Sequence, residues 1–354
     1  MAETYLVTGG AGFIGSHLVD SLLERGDSVI ALDNLSTGSL GNLAAAGHHE
    51  RFRLVQGSVL DEQVVDELVH QSDVVVHLAA AVGVKLIVEQ PLRSLTTNIR
   101  GSEIVIASAH RYRRKVLLAS TSEIYGKNCS GPLNEDTDRI LGSNSVARWA
   151  YSTAKAVDEI LAYAYYKERG LPTIVMRLFN TVGPRQSGAY GMVIPRLVGQ
   201  ALSGEPLTVF GDGTQTRCFC HVADVVDAIL RLLDHPGAVG QVVNVGSSEE
   251  ISILQLAKLI AERTASSSPL QLVPYDEAYE SGFEDMQRRV PDTSRIREMV
   301  GWVPVRTLEN ILEDTVAAAV AQRMQESAER HELDVREEGY RRAAAIVGRD
   351  DRAR

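Results

Sequence analysis

The chain has 354 residues, 44% of them hydrophobic, with 36 basic and 46 acidic side chains and a formal net charge of −10. An acidic balance of this size argues against nucleic acid or a membrane surface as the partner, because both are bound through excess positive charge. The length suits two average domains, or one large α/β domain with a cap.

The N-terminal stretch "TYLVTGGAGFIGSHLVDSLLERG" reads as a buried strand, a glycine turn and a helix ending at Gly26. Further strands follow at "SVIALDN", "RFRLVQGSV", "DVVVHLAA", "KVLLAST" and "PTIVMRLFN", with helices between them over 61–70, 93–112 and 150–169. Alternating strands and helices imply right-handed crossovers, and so an α/β fold with a doubly wound parallel sheet. We place a first domain at 1–180, with a return strand near 241–247. A smaller, interleaved second domain covers 181–315, and 316–354 is a charged helical tail.

Only "HRYRRK" (110–115) is densely basic, and it reads as a solvated helix end. His77 and His221 read as core histidines, and Tyr163, Tyr165 and Tyr166 as packing residues. Cys129, Cys218 and Cys220 form no disulfide framework and have no zinc spacing beside them, so no metal is expected and the compartment is read as reducing. "RCFC" would place Cys218 and Cys220 on one face of a strand. The chain has neither a run of eighteen apolar residues nor a basic-then-apolar start, which gives a cytoplasmic protein as the expectation.

Gly9, Gly12 and Gly15 lie between a strand and its helix. Glycines there permit a tight turn and let a pyrophosphate rest on the helix N-terminus, with Phe13 and Ile14 beside it. Asp33 ends the second strand, where a carboxylate can accept both ribose hydroxyls of NAD. A 2′-phosphate at ~4 Å would cost about 4 kcal/mol per unit charge at an effective dielectric of ~20, which favours NAD over NADP. Asn34, Ser36 and Gly38 after that strand, and Ser58 and Val59 after the third, extend the expected cofactor site. In "RWAYSTAK", Tyr151 and Lys155 are one helical turn apart. Lys155, with the cationic nicotinamide ring of NAD nearby, is expected to favour the Tyr151 phenolate, which would make the phenol a base.

These residues together resemble the extended short-chain dehydrogenase/reductase family that acts on nucleotide sugars, over about residues 4–315. The resemblance implies a Rossmann domain binding NAD, a smaller domain binding a UDP-sugar, and a homodimer built on the helices beginning near 93 and 150. It also implies that Leu78, Ala79 and Ala80 of "HLAA" and Asn98 of "TTN" line the NAD site. At the end of the fifth strand the 4,6-dehydratases carry Asp-Glu, and many 4-epimerases carry Ser or Thr before an apolar residue. Here the pair is Ser122-Glu123, which is similar to the UDP-glucuronate decarboxylases, UDP-xylose synthase among them. "RWAYSTAK" and "GFEDMQRRVPD" resemble the aminoarabinose-pathway decarboxylase domain and UDP-apiose/xylose synthase.

The same resemblance implies substrate contacts from Arg148, Asn180, Arg185, Val193, Arg217, Phe283 and Arg289. The chemistry it implies begins with Tyr151, aided by Lys155, taking the proton of the sugar 4-OH. Thr121 or Ser122 bonds the same oxygen, and Glu123 and Arg289 serve decarboxylation at C5. A UDP-sugar 4-epimerase and a 4,6-dehydratase stay open as alternatives, and outside enzymes a redox-sensing binding module.

Overall fold

Near-continuous apolar runs such as "VVVH" suit strands covered on both faces, and that is how the chain uses them. The computed structural model describes residues 2–83, 89–188, 191–278 and 286–350. The first half runs β1 (Thr4–Thr8), α1 (Phe13–Arg25), β2 (Ser28–Asp33), β3 (Phe52–Gln56), α2 (Glu62–His70) and β4 (Val74–His77). Then come α3 (Pro91–Leu95), a π-helical turn (Thr96–Arg100), α4 (Gly101–Tyr112), β5 (Lys115–Thr121), α5 (Arg148–Arg169) and β6 (Thr173–Leu178). Beyond it lie β7 (Thr181–Val182), α6 (Val193–Ser203), β8 (Leu207–Phe210), β9 (Thr216–Cys218), β10 (Cys220–His221) and α7 (Val222–Asp234). The chain closes with β11 (Val242–Val245), β12 (Glu250–Ser252), α8 (Ile253–Arg263), β13 (Leu270–Val273), α9 (Tyr275–Ala278), α10 (Ser294–Val300) and α11 (Leu308–Asp350).

Seven parallel strands form the main sheet in the order β11-β6-β5-β4-β1-β2-β3. The fold is therefore the doubly wound, Rossmann-like α/β sheet. Leu18 and Leu22 of α1 and Val225 and Ile229 of α7 pack on one face. Val65 of α2, Val105 of α4 and Ala162 of α5 pack on the other. A separate apolar cluster joins α6, α8 and the start of α11 through Leu197, Leu256, Ile260 and Ile311. Burial of Leu308, Ile311 and Leu312 there explains why α11 begins inside the second lobe and is polar only further on. "RCFC" is not one strand: β9 pairs with β12 and β10 with β7, with the break at Phe219, and Cys218 and Cys220 are both buried.

One buried ion pair ties α5 to the sheet. Arg177 of β6 donates to both carboxylate oxygens of Glu159, at 2.9 and 2.8 Å, and Ser120 of β5 donates to the same carboxylate at 2.5 Å. Arg177 also donates to the Tyr125 hydroxyl and the Glu135 carbonyl, and Tyr125 in turn donates to Asn244 of β11. Deleting one partner strands a charge in the interior. Arg177→Met should therefore lower unfolding free energy by about 3–5 kcal/mol, measured by urea denaturation, and Arg177→Met with Glu159→Gln should recover part of the loss.

Candidate active site

The sheet order reverses between β1 and β4, and ligands of doubly wound sheets bind at the carboxyl ends of the strands beside such a switch point. A deep cleft opens there. Gly9, Gly12, Phe13, Ile14 and Gly15 form its floor, and Gly9 has a positive φ of 73°. A Cβ on Gly15 would drive into the Gly9 carbonyl oxygen, so only glycine lets α1 start this close to the turn. No side chain caps the N-terminus of α1, which leaves first-turn amides for a ligand anion.

Asp33, buried at the end of β2, accepts from the amides of Ala11 at 2.9 Å and Leu35 at 2.8 Å. Those bonds fix the carboxylate on the cleft wall, with Asn34 and Ser36 alongside. Val59, Leu78, Ala79 and Ala80 line the same wall. Asn98 sits behind it: its side chain accepts from the Ala81 amide at 2.8 Å and donates to the Ala81 carbonyl at 3.2 Å, so it supports the wall without lining it. Gly38 and Ser58 do not line the cleft either. Gly38 packs against the Ala11 backbone, and the Ser58 hydroxyl accepts from the Leu60 amide.

At the other end of the cleft, Thr121 finishes β5 and caps a tight turn, Ser122–Tyr125, by accepting from the Glu123 amide at 3.1 Å. Arg148, Tyr151 and Lys155 lie on the cleft face of α5, spaced by three and four residues. Tyr151 is 6% exposed and hydrogen-bonds Thr121. Burial raises its pKa, the charges of Glu123 and Asp158 raise it further, and only the Thr121 bond opposes them. Of the two charges expected to favour the phenolate, Lys155 and the nicotinamide ring of NAD, Lys155 is therefore not among the groups that lower the Tyr151 pKa here. The Lys155 ammonium lies 3.2 Å from Asp158, which offsets its charge. Release of the phenol proton therefore needs added positive charge at this end of the cleft.

Opposite Tyr151, two arginines converge on Glu123. Arg289 Nη1 donates to Oε1 at 3.1 Å and Arg148 Nη2 lies 3.4 Å from the same oxygen. Arg289 also donates to the Asn180 side chain at 2.7 Å, and Arg217 is close enough to perturb it electrostatically. Arg148, Arg217 and Arg289 are all under 9% exposed. Arg185 lines the cleft while paired with Asp20 of α1 at 2.8 Å, and Val193 lines it at the start of α6. Phe283 lies outside the described residues. Residues without a sequence signal also line the cleft, among them Arg93, Arg196, Phe210, Gln215 and Tyr275. Arg196 stacks over the Phe210 ring at 4.3 Å, a contact between α6 and β8 that no local spacing announces. Among the described residues no group of three or more His, Cys, Asp or Glu side chains is arranged to hold a metal.

Residues 5–246 match the NAD dependent epimerase/dehydratase family. The chain is 40% identical over 321 residues to a UDP-N-acetyl-alpha-D-glucosaminuronate decarboxylase of Bacillus cytotoxicus, covering 89% of this chain and 97% of that one. It is 38% identical over 312 residues to UDP-glucuronic acid decarboxylase 1 of Danio rerio, covering 88% and 71%. The structure of UDP-glucuronic acid 4-epimerase from Bacillus cereus, in complex with UDP-glucuronic acid and NAD, superposes with a TM-score of 0.81 at 29% identity, covering 89% and 98%.

The chain belongs to the NAD dependent epimerase/dehydratase family, of the extended short-chain dehydrogenase/reductase type, and is an enzyme that uses NAD. Its closely packed glycine turn, uncapped α1 and fixed Asp33 carboxylate fit that cofactor. If Asp33 receives the adenosine ribose, wild-type protein binds NAD well ahead of NADP by calorimetry, and Asp33→Ala narrows the gap by weakening NAD. Equal wild-type affinities would remove Asp33 from that role.

Proposed function

We propose that the protein decarboxylates a UDP-linked uronic acid, UDP-glucuronic acid in the first instance, after oxidation at C4 of the sugar. The observation that carries this is the pairing of Arg148 and Arg289 with the carboxylate of Glu123, with Arg217 near Arg289, in the same cleft as Tyr151. Buried guanidiniums lining a cleft suit an anionic ligand, and a substrate with a diphosphate and a sugar carboxylate supplies such groups. The names of the Bacillus cytotoxicus and Danio rerio relatives, both decarboxylases of UDP-linked uronic acids, support the same choice.

NAD bound over the glycine turn supplies the two-electron acceptor for C4. The cationic ring of that cofactor is also the added positive charge that the Tyr151 phenol requires. Tyr151 then takes the 4-OH proton, while Thr121 and Ser122 hold the same oxygen. The ketone so formed is β to the C5 carboxylate. When the bond from C5 to the carboxylate carbon breaks, its electron pair delocalises onto the C4 oxygen as an enolate and CO₂ leaves. C5 then takes one proton from solvent, and we assign its delivery to Glu123. Arg289 and Arg148 aim the carboxylate and, with Asn180, keep Glu123 in place. Arg217 and Arg185 receive the diphosphate end. The product is a UDP-pentose, or its 4-keto form where reduction does not follow.

In our reading the enzyme works as a cytoplasmic homodimer. α5 presents Val157, Ile160 and Tyr163 to the outside at three-residue spacing, 39%, 64% and 52% exposed, and such an apolar stripe suits a helix packed against its copy. Among the described residues the cysteines are free, which suits a reducing compartment, and no helix is long and apolar enough to cross a membrane.

The test is release of labelled CO₂ from UDP-glucuronic acid carrying the label at C6, with the 2-acetamido uronic acid run beside it. Wild-type protein should release the label. Tyr151→Phe should fold and bind NAD but lose about 10²–10⁴-fold in rate. Glu123→Gln should still oxidise C4 but slow the protonation of C5 that follows CO₂ loss, so that pentose formation falls more than formation of bound NADH. Conversion of glucuronate to galacturonate with no label released would make the enzyme a 4-epimerase instead.

A further inference from the structure

The Tyr151–Lys155 pair is backed by a buried polar chain that does not itself line the cleft beyond Lys155. His77 of β4 bonds the Thr8 hydroxyl of β1 at 2.7 Å through Nδ1 and the Ser102 hydroxyl of α4 at 3.2 Å through Nε2. The Ser102 hydroxyl is close enough to Asp158 to act on its carboxylate, and Asp158 Oδ2 lies 3.2 Å from Lys155 Nζ. Every member is shut away from water: Thr8, Ser102 and Asp158 are 0% exposed, His77 is 1% and Lys155 is 2%. At its far end the Thr8 hydroxyl accepts from the amide of Ala79, a cleft-wall residue. A buried carboxylate is costly wherever an apolar side chain could pack, so its presence on the lysine of the reacting pair calls for a reason.

We propose that Asp158 is a positioning residue for the reaction: its buried carboxylate holds the Lys155 ammonium one helical turn from Tyr151 and sets the field both groups feel. His77 contributes hydrogen bonds but no charge, because burial and the nearby Lys155 push its pKa down to about 3. The other charged groups facing the pair are Glu123, from the turn after β5, and Glu159 of α5 itself. Glu159 is taken up by Arg177 of β6, and Glu123 by Arg148 and Arg289. α4 contributes only the Ser102 hydroxyl. Asp158 is therefore the anion left to act on Lys155 directly.

A negative charge raises the pKa of every neighbour, whether an acid or a base, so removing it lowers them all. Asp158→Asn should then ease loss of the Tyr151 proton, which sets the acid limb of turnover, and shift that limb to lower pH by about half a unit or more. A side chain that merely packed would lower the rate and leave the limb where it is.

The experiment has two arms, and only the kinetic one rests on the proposed decarboxylation. In the first, the NAD-loaded protein is made with isotopically labelled tyrosine, the Tyr151 ring signal is assigned with Tyr151→Phe, and its titration is followed by NMR in wild type and Asp158→Asn. In the second, turnover of UDP-glucuronic acid is measured against pH for wild type, Asp158→Asn and Asp158→Glu. We expect Tyr151 to titrate at lower pH in Asp158→Asn, the acid limb of turnover to follow, and Asp158→Glu to bring the limb back toward wild type. If Asp158→Asn does not fold, Asp158→Ser takes its place and must move Tyr151 the same way. An unmoved Tyr151 titration overturns the proposal. Absence of wild-type turnover would count against the decarboxylase assignment and leave the NMR arm to decide on Asp158.

Discussion

The bidentate pair between Arg177 and Glu159 is the interaction on which the reacting end depends. It joins β6 to the middle of α5, and Ser120 adds β5 to the same carboxylate. Arg148, Tyr151, Lys155 and Asp158 all ride on the turns of α5 just before that anchor, so their distance from Thr121 and Glu123 is set by it. A buried ion pair adds little net stability compared with a well-packed apolar contact, but it tolerates little change in geometry. That trade suits a helix whose side chains must stay within hydrogen-bond reach of a substrate oxygen.

Charge in the cleft follows a second constraint. The protein's own groups keep Tyr151 a phenol and offset Lys155 with Asp158. In the proposed mechanism the base would be made ready only as a cationic cofactor binds, which would couple cofactor loading to proton removal. Across the cleft, burial weakens the hold of Arg289 on its own charge, and the neighbouring Arg217 and Arg148 add to the effect, with Glu123 as the counterweight. A diphosphate and a carboxylate entering this region meet buried guanidinium donors, so binding energy is concentrated where the proposed chemistry occurs.

The sheet was legible in the sequence because each core strand is an apolar run between turn residues, a signal local enough to read. The glycine turn and the Asp33 position were legible for the same reason: their geometry is set within one βαβ unit. The Tyr151–Lys155 spacing was also local, as is the pairing of Lys155 with Asp158 three residues on, but the burial of all three that sets their electrostatics comes from the tertiary fold. Glu123 and Arg289 are 166 positions apart, and only likeness to a family suggested that they work together. Gly38 and Ser58 were placed in the site by proximity to motif residues, whereas the fold uses them to shape the loops behind it. The break of "RCFC" into two strands depends on partners in β12 and β7 that no alternation pattern contains.

The central claim is that a C4 ketone, held by Tyr151 and its neighbours, allows the C5 carboxylate to leave and that the protein then protonates C5. The most direct test is to run wild-type enzyme on UDP-glucuronic acid in heavy water and locate the label in the product by NMR. The account predicts a pentose one carboxylate shorter, carrying a single solvent deuteron at C5 on one face. A product that keeps its carboxylate, or a pentose with no deuterium at C5, would contradict it.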